Sequence, residues 1–210
     1  MIDKNNLFSF LDEYYPDAKC SLNYHKDYEL LIAIMLSAQT TDVSVNKVTS
    51  VLFSLYKTLE ELNNANIYDI EKNISSLGLA ITKSKNIKGI SEALVTKYHS
   101  EVPVDENALL SLPGVGNKTK NCFLAEWANL PFLAVDTHVN RIAKRLGIAQ
   151  NSDDIKTVEA KLLKFIPKER IIKANHQLIE FGRTICLARF PKCEKCLLAK
   201  NCKYFNQFEK

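Results

Sequence analysis

The sequence predicts an all-α fold. Three observations carry that expectation. Apolar residues recur at helical spacing along nearly all of the 210 residues. Six glycines and six prolines are few for a turn-rich architecture of many strands. Only Pro131 to Val135 reads as extended, and it is too short for a sheet. Hydrophobic residues make up 46% and charged residues 25%, the mix of a globular chain and not of a disordered or collagen-like one.

Individual helices follow from local chemistry. The run Leu30 to Leu36 is the most apolar stretch, yet far shorter than the ~20 residues of a membrane span. Thr41 and Asp42 mark a helix start. Val45, Val48, Leu52 and Leu55 then share one face. Thr58 and Glu61 have capping-box spacing. Asp105 and Ser152 are expected N-caps. Val139, Ile142, Ala143 and Leu146 follow the i, i+3, i+4, i+7 template, and Gly147 stops that helix.

The acidic N-terminus, Met1 to Lys19, lacks the basic head and apolar run of a signal peptide. The expected location is therefore cytoplasmic, or on the nucleoid in a bacterium, with no membrane partner. Disulfides are then disfavoured, and clustered cysteines point to metal or redox chemistry. Charge is uneven. Residues 1–110 carry 10 basic and 15 acidic side chains, and residues 111–210 carry 18 and 9. A basic half suits a polyanion.

Two motifs carry the chemistry. The first is Leu112-Pro113-Gly114-Val115-Gly116-Asn117-Lys118-Thr119, between a short helix (about 105–111) and a longer one (about 117–130). Gly114 and Gly116 allow backbone conformations that other residues avoid and leave amides uncovered. With the positive end of the second helix they form an anion site suited to a DNA phosphate. The string resembles the helix-hairpin-helix element, which grips the DNA backbone without reading sequence. The second motif is Cys186, Cys193, Cys196 and Cys202, spaced C-x6-C-x2-C-x5-C. Four thiolates so placed suit a zinc ion or an iron–sulfur cluster. They tie down a loop whose Arg189 and Lys192 reach toward phosphates. Cys20 and Cys122 are isolated and read as core thiols.

The order of hairpin, Val135-Asp136-Thr137-His138 and cysteine set resembles the endonuclease III family of DNA glycosylases. The string Leu36-Ser37-Ala38-Gln39-Thr40-Thr41-Asp42 is similar to that family too. The resemblance implies two helical lobes flanking a DNA-binding cleft. One is a six-helix barrel over residues 20–130 that contains the hairpin (about 105–130). The other is residues 1–19 plus 131–210, with a [4Fe–4S] loop at 186–202. It thereby shifts the metal choice from zinc to iron–sulfur.

The resemblance also implies an activity. A bifunctional glycosylase and abasic-site lyase of base excision repair would act, as a monomer, on double-stranded DNA containing oxidised pyrimidines or abasic sites. Lys118 takes the nucleophile's place. The helix dipole disfavours an ammonium there, and burial is expected to add to that. Asp136 takes the place of the essential carboxylate, although Asp is also a preferred N-cap. Gln39 and Leu79 take the places of residues that fill the stack left by a flipped base. Lys120 stands where the family usually has a small residue, and a further phosphate contact is its expected role. His138 and Arg141 are further candidate DNA contacts. Two alternatives are a non-enzymatic helix-hairpin-helix binding module and a monofunctional mismatch glycosylase. An electron-transfer iron–sulfur protein is a third.

Overall fold

The structure, a computed structural model, describes residues 2–207, and among them there are helices and no strands. The chain divides into two compact units, Ser21–Ala128 and Met1–Cys20 with Asn129–Lys210.

The central unit holds α2 (Asp27–Leu36), α3 (Asp42–Leu55), α4 (Leu59–Asn64), α5 (Ile67–Asn73), α6 (Ala80–Lys97), α7 (Glu106–Leu110) and α8 (Asn117–Glu126), after α1 (Lys4–Tyr14) in the other unit. Helix α2 is apolar on every side because it is covered on every side. Residues 30–36 are all buried, and α3, α6 and α8 pack around them. Its start is fixed by Glu29, whose Oε2 accepts from the backbone N–H of His25 and Lys26. Thr41 caps α3, Thr58 and Glu61 close a capping box on α4, and Asp105 caps α7. Val45, Val48 and Leu52 are buried, as expected. Leu55 is not. It is 56% exposed, because α3 ends there and the packed face ends with it.

The other unit is built from α1, α9 (Thr137–Arg145), α10 (Ile155–Phe165) and α11 (Ile171–Thr184). Its core joins Leu7, Phe8, Phe10 and Leu11 of α1 to Val139 and Ile142 of α9 and to Leu178 and Phe181 of α11. Fully burying each large apolar side chain stabilises by about 1.5–3 kcal/mol. Helix α9 ends as expected. Gly147 takes φ +79°, and Ile148 N–H turns back to Ala143 O at 2.9 Å. Ser152 is not the cap of α10. Asp154 is, with its Oδ1 accepting from Thr157 N–H at 2.8 Å. The preceding residues form a turn held by Lys144, whose Nζ donates to Asn151 O and Asp153 O. Cys20 and Cys122 are half-buried, so neither is a core thiol.

Gln177 and Asp12 join the ends of this unit's sequence. Gln177 Nε2, fully buried, donates to Leu11 O, Asp12 Oδ1 and Tyr15 O. The Arg170 guanidinium beside Asp12 holds its carboxyl well below the usual carboxylate range, with help from Gln177 and Lys173. A depressed carboxylate stabilises the fold above its unfolded pKa, near 3.8, and that contribution is lost as pH falls below it. Asp12 is 38% exposed, so the contribution is screened. Asp12→Asn is expected to lower Tm by about 2–4 °C at neutral pH, with the difference shrinking steadily below about pH 4. Melting curves of both proteins across pH check this; a difference that stayed constant would refute it.

Candidate functional site

The hairpin begins where α7 ends. Leu112 and Val115 anchor it, both buried, and Val115 N–H donates to Leu112 O at 3.2 Å. Between them Gly114 takes φ +75°, a left-handed conformation that disfavours any side chain. A Cβ there would also meet Asn86 Cγ of α6 at 2.8 Å. Gly116 departs from expectation. Its φ is −99° and ψ is −179°, extended backbone that any residue adopts. Its use is openness, because nothing lies within 4 Å of the place a Cβ would take. Gly116 is the N-cap of α8 and offers no side-chain acceptor, so the first N–H groups of α8 have no cap bond.

The two lysines of α8 have different fates. Lys118 sits in the first turn and is exposed, so the burial expected of it is not provided by the protein alone. Lys120 is the buried one. It is 6% exposed and ion-paired with Glu106 of α7. That corrects the expectation of a phosphate contact, because this ammonium already holds the two arms of the hairpin together. The i, i+2 offset turns the two side chains to different faces of α8.

Helix α6 links the hairpin to the two candidate wedge residues. Gly89 of α6 lies against Pro113, where a Cβ would meet Pro113 Cγ at 2.7 Å, and Asn86 lies against Gly114. At the start of the same helix Leu79 is 59% exposed with φ +63°. Gln39, also exposed, has φ +56° in the loop after α2. A left-handed backbone is a true outlier for a residue such as leucine. Lys83, one turn into α6, donates from Nζ to Thr40 Oγ1 at 2.9 Å. Sequence reasoning missed Lys83 because lysines are common on solvated helix faces.

In the other unit, Asp136 caps α9. Its Oδ1 accepts from Val139 N–H at 2.8 Å, so the capping role is realised. Its Oδ2 has no hydrogen bond among the described residues. The segment before it, Pro131 to Val135, forms no strand, and a side chain satisfies the backbone of its Ala134. Asn175 of α11 accepts from Ala134 N–H and donates to Ala134 O.

The far end of α9 holds the cysteine loop. Arg145 donates to Leu187 O at 2.6 Å and Ala188 O at 3.1 Å and lies 3.4 Å from Cys186 Sγ. Arg141 donates to Cys186 O and Gly182 O, so its guanidinium is engaged inside the unit. His138 packs beside Arg141 over Gly182, where a Cβ would lie 2.7 Å from His138 Cβ. Cys186, Cys193, Cys196 and Cys202 line one hollow with Leu146 and Phe181. Burial pushes the Cys196 thiol up to about 11 and raises Cys193 as well, with neighbouring cysteines adding to both. Arg189 and Lys192 lie on the loop between the first two cysteines. With them is Phe190, 91% exposed and at φ +52°, which no periodicity in the sequence signals.

The chain is similar to known proteins. The model of the HhH-GPD superfamily of base excision DNA repair proteins matches residues 32–168. Endonuclease III of Rickettsia felis is 43% identical over 203 residues, covering 96% of this chain and 94% of that protein. A solved structure of a trapped endonuclease III–DNA covalent intermediate is 41% identical, with a TM-score of 0.92 and all of both chains covered. A thermostable thymine-DNA glycosylase is 25% identical with a TM-score of 0.87, covering 97% of each chain. With a buried α2, an uncapped hairpin helix and four gathered cysteines in the same order along the sequence, the chain belongs to the endonuclease III family, within the HhH-GPD superfamily of base excision DNA repair proteins.

Proposed function

We propose that this protein is a bifunctional DNA glycosylase and abasic-site lyase that removes oxidised pyrimidines from duplex DNA. The observation that carries the reading is Lys118, an exposed lysine in the first turn of a helix whose leading N–H groups are uncapped. The hairpin amides bind a phosphate and bring the deoxyribose to that lysine. The amine of Lys118 attacks C1′, the glycosidic bond breaks, and the base leaves with a proton. Attack leaves a C1′–N single bond; the C1′–O4′ bond then opens, O4′ takes up a proton, and the resulting iminium makes the C2′ proton acidic. Loss of that proton expels the 3′ phosphate by β-elimination and nicks the strand. The attack requires the neutral amine.

Asp136 supports the same step. Its capping bond fixes the carboxylate, and its second oxygen is available to stabilise positive charge that develops at C1′. Gln39 and Leu79 fill the gap left by the flipped base, and their left-handed backbones hold both side chains out into solvent. Arg189 and Lys192 contact phosphates beyond the lesion.

The cysteine set fits a [4Fe–4S] cluster. Four thiols line one hollow with a guanidinium beside Cys186. Four thiols around one hollow suit the all-cysteine ligation of a [4Fe–4S] core, and the family favours that core over zinc. Cys186, Cys193, Cys196 and Cys202 would hold the cluster, which supplies rigidity to the basic loop.

The test is borohydride trapping on duplex DNA with a single thymine glycol. A covalent adduct is expected. Base release without an adduct would mean a monofunctional glycosylase, and neither product, from this lesion or from an abasic site, would mean a binding module. Among the described residues no helix is long and apolar enough to cross a membrane.

A further inference from the structure

Lys83 is 4% exposed, and no carboxylate pairs with it among the described residues. Burial alone pushes its ammonium down from the usual lysine range. Placing a cation there costs free energy unless its bond does something a methyl group would not. That one bond goes to Thr40 Oγ1, and Thr40 Oγ1 in turn donates to Ala38 O. The two acceptors flank Gln39. Meanwhile the backbone N–H of Lys83 donates to Leu79 O at 2.9 Å, closing the first turn after that residue. One lysine therefore bonds to both the Gln39 loop and the Leu79 turn, each of which carries an exposed, left-handed, non-glycine residue. Further along α6, Asn86 and Gly89 meet the hairpin turn.

We infer that Lys83 is a positioning residue that locks the Gln39 loop to the Leu79 turn, so that both side chains enter the DNA stack as one rigid wedge. The inference rests on the wedge role of Gln39 and Leu79 proposed above. A left-handed loop released from its tie relaxes to commoner conformations, and each side chain then loses its preset direction. Duplex DNA, which must be unstacked, feels that loss. An abasic site in a single strand has no stack to open and feels it far less.

The variants are Lys83→Met, which keeps the length and removes the charge, and Thr40→Val, which removes only the hydroxyl. Single-turnover base release from a thymine-glycol duplex is expected to fall about tenfold in each. Borohydride trapping on a single-stranded abasic site should fall by a much smaller factor. The double variant should lose no more than either single one, because both remove the same bond. Fluorescence of a 2-aminopurine next to the lesion should brighten less on binding than with the unmodified protein. Melting temperature should hold, since a methionine suits the buried site. Equal losses on the two substrates, or additive losses in the double variant, would overturn the inference. Gln39→Ala and Leu79→Ala run alongside. If they impair duplex cleavage and Lys83→Met does not, only the role of Lys83 fails. If neither impairs it, the wedge reading fails and the inference with it.

Discussion

Lys118→Ala is expected to abolish the borohydride adduct and strand nicking, a loss of at least about a thousandfold, while Lys120→Ala keeps the adduct. The two lysines are two residues apart, yet the structure gives them opposite environments. Lys118 is exposed and has no ion pair among the described residues. Lys120 is buried against Glu106. Removing Lys120 should therefore appear as lost stability. Glu106 is 53% exposed and is re-solvated when its partner goes, so the cost is an ordinary ~1–3 kcal/mol. Melting temperature and trapping yield, measured on both variants, separate the roles. An adduct lost only in Lys120→Ala would place the nucleophile one face around the helix and undo the assignment. Base release persisting in Lys118→Ala without an adduct would point to water as the attacking group.

The second large effect is expected at the cysteine set. On the [4Fe–4S] reading proposed above, Cys202→Ser, or treatment with an iron chelator, should remove iron and sulfide from the protein and lower Tm by about 10 °C or more. The reason lies in how little else holds this region. Residues 193–207 form only three short 3-10 turns. Among their apolar side chains Leu198 is the one in the core. Arg145 holds Leu187 and Ala188 from one side, and the four thiols close the other. Without the cluster the loop with Arg189, Phe190 and Lys192 loses one of its two anchors. Affinity for undamaged duplex DNA should then fall along with its salt dependence. A clusterless protein with unchanged melting and unchanged DNA affinity would show that the cluster does no structural work.

Helix ends were legible in the sequence wherever a cap acts on its own next turn. Thr41, Thr58 with Glu61, and Asp105 cap the helices they precede, and Gly147 ends α9. Ser152 lost to Asp154 because Lys144, from another helix, takes up the turn between them. Leu55 had the right spacing and no neighbour to bury it. Asp136 was legible as a cap and as a candidate carboxylate, and one oxygen serves the first role without using the second.

The sequence by itself determined the helical class, the hairpin and the cysteine set, because each is written in residues a few positions apart. Spacing of that kind acts through a single turn or loop and does not depend on what packs against it. Which lysine is exposed, which arginine is used internally and which glycine is strained were decided only in the tertiary structure. Lys120 meets Glu106 across the hairpin, Arg141 meets Cys186 across 45 residues, and Lys83 meets Thr40 across 43. Such pairings depend on how helices cross, and a charged side chain looks the same in a sequence whether it faces water or a partner.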